Sequence, residues 1–343
     1  MPEGHSVHRI ARQFALHFVG HSVAASSPQG RFAAGAAQLD GRVMTQAIAV
    51  GKQMFLEFDN GLWLRVHLGI YGAWDFAGDI TADATMASSN GRMGQTNQRG
   101  TVPDAVEGGA ARASATVVGA FEDSLSSIGA PRRARLRMAE QEVEGTIDSF
   151  PPEPVGAVRV RLLTEATCAD LRGPTACDVL HPEEVQAVID KLGPDPLLDP
   201  GAEAEDRFVA TVLKKPTPIC LLLMDQSVVA GIGNVYRAEM LFRARLNPHI
   251  PGRDLSETTV RALWRDWAKL LAIGVETGQM MTMDGLSPEA YNGAMASRAD
   301  RHWVYHRTGE PCRVCGTPIV MEEIGGRKLY WCPVDQAGEG QQE

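Results

Sequence analysis

The chain has 343 residues, 44% of them hydrophobic, with a formal net charge of −9 from 33 basic and 42 acidic residues. That length suggests about two domains with room for sizeable cores. No uninterrupted apolar run approaches the roughly 18 residues of a membrane span, and acidic Glu3 with no apolar stretch behind it argues against a secretory signal. Taken alone, the acidity also argues against a nucleic-acid partner, whose domains are usually basic. Six cysteines, at positions 168, 177, 220, 312, 315 and 332, are too few for a disulfide scaffold. Three of them fall near the end of the chain, which points to a local metal site in a reducing cytoplasm.

The first elements follow from periodicity. Val7, Ile10, Phe14 and Phe18 recur at helical spacing, Ala11 fills the same face, and Gly20 can end the helix. Residues 52–59 and 62–68 alternate around Asn60-Gly61, a strong hairpin signal. On the second strand Trp63, Arg65 and His67 face one way, and Leu62, Leu64, Val66 and Leu68 the other. Residues 77–154 are rich in Ala, Gly, Ser and Thr and poor in aromatics, so they read as an insertion, partly disordered. Its cluster Arg132, Arg133, Arg135 and Arg137 could touch nucleic acid, but a solvated charge run is the favoured reading. A strand pattern resumes over 157–162. From Pro182 on the chain reads helical, with Val260, Leu263, Trp264, Trp267, Leu270 and Leu271 as a core stripe. Short strands, turns and the paired cysteines follow Arg301.

Three constellations carry chemistry. Cys312-Arg-Val-Cys315 and Cys332-Pro-Val-Asp335 have the spacing of a zinc ribbon, in which two tight turns each supply two ligands to a tetrahedral Zn²⁺. Asp335 stands where a fourth Cys is usual. A carboxylate oxygen is a legitimate ligand, so Cys312, Cys315, Cys332 and Asp335 can form a site. A weakened site or a ribbon that folds without metal are the alternatives, and His302 or His306 are less favoured substitutes. Gly231-Ile-Gly233-Asn234 precedes an amphipathic helix, with Asn234 placed to cap it, and backbone N–H groups at such a start can bind phosphate. At the N-terminus, removal of Met1 before the small Pro2 would leave a secondary amine. An α-amine has a pKa of roughly 7.7–8.0, so a neutral fraction is available as a nucleophile. Glu3 beside it can move protons. In an arbitrary protein Pro2 is simply a helix-starting residue, Lys52 at a strand start a solvated edge residue, and Arg327 after Gly325-Gly326 no more than a turn residue.

The order of these pieces is what identifies them. MPEGH at the start, Gly51-Lys52, HLGIYG from His67, LGPDPL from Leu192, MDQSVVAGIGNVYRAE from Met224 and GEPCRVCGTPI from Gly309 together resemble the formamidopyrimidine-DNA glycosylase and endonuclease VIII family. MPEGH and the tyrosine of HLGIYG lean toward the endonuclease VIII branch of actinobacteria. The resemblance covers roughly 1–75 and 155–336. It implies an α+β fold: an N-terminal β-sandwich with a leading helix (1–180, carrying the 77–154 insertion), a helix-two-turn-helix domain (181–297) and a zinc-ribbon-like hairpin and tail (298–343).

By the same resemblance, Pro2 is the nucleophile at C1′, Glu3 the acid assisting base departure, and Lys52 a phosphate contact active in β-elimination. Arg327 grips phosphate and supports δ-elimination, Asn234 binds the phosphate beside the lesion, and Ile70 and Tyr71 fill the gap left by the flipped base. Lys191 falls where the branch has a DNA-contacting Arg. The implied protein is a cytoplasmic, nucleoid-associated monomer with structural Zn²⁺ and no membrane partner. It is a bifunctional glycosylase and AP lyase of base excision repair that favours oxidised pyrimidines. The alternatives are an oxidised-purine glycosylase or a damaged-DNA binding protein with impaired catalysis; an N-terminal-proline tautomerase would leave the glycine turn and ribbon without purpose.

Three positions depart from the pattern: Ser6 replaces a frequent second Glu, Asp335 the fourth Cys, and Gly69 a polar Gln. The insertion holds eleven acids against seven bases, so nearly half of the excess negative charge lies there. The rest of the chain is still acidic, and DNA binding is expected to rest on placed cations (Lys52, Lys191, Arg327) and backbone amides.

Overall fold

Helical spacing at the start of the chain becomes helix α1, Gly4–His17, with Val7, Ile10 and Phe14 fully buried. It stops where Phe14 O accepts both Phe18 N and Val19 N, and Gly20, at φ +86°, turns the chain away. The computed structural model describes residues 2–80, 127–129, 150–297 and 300–338. The cluster Arg132–Arg137 and most of the segment read as a partly disordered insertion lie outside the described residues.

Contacts among the described residues separate two compact units, Met1–Ile189 with Val275–Gly278, and Asp190–Gly274 with Gln279–Glu343. The first contains strands β1 (Ser22–Ser26), β2 (Arg42–Val50), β3 (Gln53–Phe58), β4 (Trp63–His67), β5 (Ala73–Gly78), β6 (Ser127–Gly129), β7 (Val158–Leu163), β8 (Thr167–Arg172) and β9 (Ala176–Leu180). Helix α2, Ala33–Leu39, lies between β1 and β2, and α3, Pro182–Ile189, follows β9. All strand pairs are antiparallel, in the order β6-β5-β8-β7-β1-β2-β3-β4-β9.

The two halves of this sheet line one shared core. Met54, Leu56, Leu64 and Val66 come from one half, and Trp74, Phe76, Val160 and Leu171 from the other. Helix α1 adds Phe14, whose ring meets Trp74 edge-on at 4.8 Å and Phe76 at 5.3 Å. The β3–β4 hairpin forms where alternation places it. Its loop is closed by Gly61 at φ +76°, while the Asn60 side chain accepts from Leu62 N and donates to Gln38 O.

One sequence boundary is corrected. Position 77 is not the start of an insertion but lies inside β5, and Ser127–Gly129, well within the supposed insertion, pairs with that strand as β6. Main-chain hydrogen bonding to a waiting sheet edge does not require an apolar sequence, so composition alone missed it.

The second unit is helical, with a terminal hairpin. Its elements are α4 (Ala202–Val212), α5 (Ile219–Leu222), α6 (Asn234–Arg243), α7 (Glu257–Thr277, whose last residues join the first unit), α8 (Pro288–Ala296), β10 (Val320–Ile324) and β11 (Arg327–Trp331). The expected stripe on α7 is buried throughout. Trp264 packs on Phe208 of α4 at 5.6 Å, and Trp267 meets Tyr236 of α6 at 4.9 Å. Each such side chain contributes about 1.5–3 kcal/mol on full burial. No helix among the described residues is long and apolar enough to cross a membrane.

Candidate functional site

The four ribbon residues converge. One ligand atom from each of Cys312, Cys315, Cys332 and Asp335 lies within 4.8 Å of all the others. Asp335 Oδ2 is 2.9 Å from Cys312 Sγ and 3.5 Å from Cys332 Sγ, and Cys315 Sγ is 3.5 Å from Cys332 Sγ. Both turns aim backbone N–H groups at sulfur: Val314 N donates to Cys312 Sγ and Asp335 N to Cys332 Sγ. Burial, then the Asp335 hydrogen bond, pushes the Cys312 thiol up to about 12, and burial also raises Cys332. For Asp335 burial acts upward too, but hydrogen bonds from the Cys312 and Cys315 thiols and the Arg245 charge outweigh it and hold the carboxyl below its ordinary range. Three sulfurs and one oxygen at this spacing fit a tetrahedral divalent cation, which would replace the thiol protons.

The glycine turn is shaped by a residue that periodicity could not single out. Gln226 accepts from Gly231 N through Oε1 and donates to Ile232 O through Nε2, while Gly231 takes φ +94°. Asn234 does not cap α6 as its position suggests. Gly233 is the cap residue, and Asn234 is the first helical residue. Its side chain faces the hairpin instead: Nδ2 donates to Lys328 O at 2.8 Å, and Oδ1 accepts from Arg237 Nη2 at 2.5 Å. Arg237, buried, also reaches Lys328 O. Farther along α6, buried Glu239 accepts from Thr282 Oγ1 and from the backbone N–H groups of Trp303, Val304 and Tyr305. One helix thus holds the hairpin strand at its start and the approach to the metal-binding turns at its middle.

Arg327 is exposed at the first position after a two-residue turn. Gly325 and Gly326 both have positive φ (+59° and +68°), and Ile324 pairs with Arg327 across them. A turn of this kind requires both residues in the left-handed region, hence Gly-Gly. A Cβ on Gly325 would lie 2.7 Å from Leu221 Cδ2 of α5, so the hairpin tip also needs glycine for its close approach to the helix.

In the first unit Pro2 and Glu3 are buried at the start of α1. Glu3 O accepts Ser6 N and Val7 N, which opens the helix, and α1 packs on β2 and β3. Ser6, the departure from a second Glu, places Oγ 3.2 Å from His5 Nε2. Desolvation first, then the Arg9 and His8 charges, lowers His5 to about 3, so this ring is neutral at physiological pH. Lys52 lies not in a strand but in the tight β2–β3 turn, behind Gly51 at φ +56°, with Val50 paired to Gln53. Its charge acts on His67, whose pKa is lowered by burial and then by Lys52 and Arg65. Ile70 and Tyr71 are exposed at the tip between β4 and β5. Gly69 beside them has φ +65°, and a Cβ there would sit 1.8 Å from Thr175 Oγ1, so this backbone has no place for a glutamine. Lys191 is exposed just after α3.

Known proteins fit the same pieces. Residues 1–101 match the formamidopyrimidine-DNA glycosylase N-terminal domain, 192–284 the formamidopyrimidine-DNA glycosylase H2TH domain, and 309–338 the zinc finger found in FPG and IleRS. Endonuclease 8 1 of Mycobacterium tuberculosis is 35% identical over 338 residues, spanning 98% of this chain and 100% of that protein. The chain belongs to the formamidopyrimidine-DNA glycosylase and endonuclease VIII family. Members of this family are DNA glycosylases with AP lyase activity that act in base excision repair, and this chain is such an enzyme.

Formamidopyrimidine-DNA glycosylase of Thermus thermophilus is 40% identical over only 150 residues, 44% of this glycosylase and 55% of that one. Two solved structures share the fold. The MutM (Fpg) protein of Thermus thermophilus has a TM-score of 0.60 at 23% identity, covering 98% of this chain and 99% of that one. The Lactococcus lactis enzyme, non-covalently bound to DNA containing an AP site, has a TM-score of 0.63 at 19% identity, covering 98% and 100%. The N-terminal domain match runs to residue 101, beyond the 1–75 stretch in which the family resemblance is legible by eye.

Proposed function

We propose that this glycosylase removes oxidised bases from DNA, pyrimidines foremost, through a Schiff base on Pro2, and then cuts the strand by β,δ-elimination. The observation that carries the reading is Pro2-Glu3 buried at the head of α1, with a nucleophilic amine and a proton-carrying carboxylate on consecutive residues. The Pro2 nitrogen attacks C1′, the C1′–N bond to the damaged base breaks, and Glu3 supplies a proton as the base and ring oxygen depart. The resulting iminium draws electrons from C2′. Loss of the C2′ proton expels the 3′ phosphate, and a second elimination expels the 5′ phosphate. Lys52 engages phosphate and assists the first elimination, and Arg327 grips phosphate and assists the second. Asn234 and Lys191 hold the backbone, and Ile70 and Tyr71 fill the space vacated by the flipped nucleotide, whose extrusion costs a few kcal/mol.

The full-length likeness to an endonuclease 8, against 150 residues shared with a formamidopyrimidine-DNA glycosylase, supports the pyrimidine preference. Cys312, Cys315, Cys332 and Asp335 hold a structural Zn²⁺, which fixes the hairpin that presents Arg327. The thiolates stay available for it in a reducing cytoplasm.

Borohydride reduction tests the chemistry. The processed full chain should be trapped covalently on oligonucleotides carrying dihydrouracil or an abasic site, and Pro2→Gly should lose base excision. Absence of a trapped species on dihydrouracil, 8-oxoguanine and abasic DNA alike would refute the Schiff-base reading, and faster excision of 8-oxoguanine than of dihydrouracil would overturn the pyrimidine preference.

A further inference from the structure

Asp335 is where this metal site departs from four cysteines, and one cation answers it. Asp335 turns Oδ2 to the sulfurs, while its other oxygen, Oδ1, lies 3.4 Å from Arg245 Nη1. That nitrogen is buried and makes no hydrogen bond, which leaves the carboxylate as its counter-charge. Arg245 is held there by an unusual backbone. With His306 it is one of two non-glycine residues at positive φ among the described residues, at +52°. For an L-residue this conformation is strained.

The strain is opposed by contacts on both sides. Arg245 N donates to Phe242 O and Leu246 N to Leu241 O, and the guanidinium lies over the Phe242 ring, 4.5 Å from its centroid. The next residues are fastened to the second metal-binding turn. Asn247 N donates to Gly338 O, Gln336 Nε2 donates to Leu246 O, and Gln336 Oε1 accepts from Cys332 N. The end of α6 and the turn carrying Cys332 and Asp335 are therefore one fitted piece, with Arg245 at its charged centre.

The chemistry of the donor set gives this arrangement a purpose. Three thiolates leave a divalent cation one tetrahedral position, and a carboxylate offers two oxygens for it. A carboxylate with its second oxygen loose can rotate away, chelate through both oxygens or turn to water. Three thiolates and a carboxylate also leave a 2+ ion with an excess of negative charge. Arg245 answers both problems, because it engages Oδ1 and adds one positive charge at the rim. We infer that Arg245 is the positioning residue of this metal centre, pinning Asp335 so that a three-cysteine, one-aspartate site retains its cation. The inference rests on the zinc reading above and adds to it the residue that makes the Asp variant work.

Two measurements on the full chain test it. Cobalt(II) loading reads the donor set, since thiolate-to-cobalt absorption scales with the number of sulfurs. Asp335→Cys should absorb more intensely than wild type, toward four sulfurs against three. Zinc retention against a chromophoric chelator reads Arg245. Removing a partner of a metal ligand typically costs 10–100-fold in affinity, so Arg245→Met, which keeps an apolar stem over Phe242, should weaken retention by about tenfold or more. Arg245→Lys, which restores the charge, should recover most of that loss. In the Asp335→Cys background Arg245→Met should weaken retention clearly less than in wild type, because only the charge is lost and no carboxylate remains to position. Equal weakening in both backgrounds, or none in wild type, would overturn the inference while leaving the zinc reading intact. Failure of wild type to bind cobalt or zinc would overturn the zinc reading itself, and the inference with it.

Discussion

Two hairpins in this enzyme solve the same problem by different physics. The β3–β4 hairpin joins a sheet of nine strands among the described residues: β2 and β9 flank it, and Phe55, Leu56, Leu64 and Val66 are buried in the surrounding structure. The β10–β11 hairpin pairs with no other strand among the described residues, and of its side chains only Leu329 and Tyr330 are buried. A two-stranded hairpin is marginally stable by itself in water. What β10–β11 lacks in apolar burial is supplied by cross-links: four ligands at its base, two side chains of α6 on Lys328 O, and Gly325 against Leu221. A hairpin with Arg327 exposed at its tip and few buried side chains draws its order from outside its own strands.

The largest test of this contrast is removal of the metal. Structural zinc contributes roughly 10–16 kcal/mol of binding free energy, which in such a site is folding free energy. Strong chelation, or Cys332→Ala, should abolish amide protection over 320–331 in hydrogen exchange and leave 53–67 protected as in wild type. Strand cleavage should fall with the first hairpin intact. If both hairpins keep their protection, the second one is held by packing after all.

A test by acid acts on the other unit. Desolvation and then the Arg9 charge push the native His5 pKa down from 6.5 to about 3. Below pH 6.5 the unfolded chain gains a proton that the native chain refuses, so stability falls as pH drops and the loss levels off near pH 3. Each pH unit in that window removes on the order of 1 kcal/mol, so His5 accounts for up to about 3 kcal/mol by pH 4.5. Denaturant unfolding of His5→Gln should show a correspondingly shallower fall between pH 6.5 and 4.5. Parallel curves for wild type and variant would show that the ring takes up its proton without cost in the native state.

What the sequence disclosed and what it withheld divide along the same physical line. Periodic burial made α1, β3–β4 and the α7 stripe legible, and fixed spacing made the four ligands legible, since both patterns are local. Gln226, Glu239 and Arg245 were not, because no periodicity marks them: Gln226 closes its own turn onto Gly231 N and Ile232 O, Glu239 binds Trp303 N across 64 residues of chain, and Arg245 meets Asp335 from the far end of α6. The position of Asn234 at a helix start was clear, but its side chain turns to Lys328 O because the hairpin arrives beside it. Strand β6 was hidden for a different reason, since an edge strand of three residues needs no apolar signature.

The smallest effects give the sharpest comparison. Gly61 and Gly326 sit at φ +76° and +68°, and a Cβ on either would meet nothing within 4 Å. Replacing each by Ala therefore isolates the backbone strain, roughly 1–2 kcal/mol in either turn. In β3–β4 the hairpin folds with its sheet, so Gly61→Ala should lower the denaturation midpoint of the first unit and leave zinc retention unchanged. If, as proposed, zinc holds β10–β11, folding there is coupled to metal binding, and Gly326→Ala should draw the same free energy from the metal site, a loss of about 5–30-fold in zinc affinity. Matched substitutions would then report through different observables, a melting curve for one and a chelator titration for the other. If Gly326→Ala leaves zinc affinity within experimental error of wild type, the hairpin and its metal are not one folding unit.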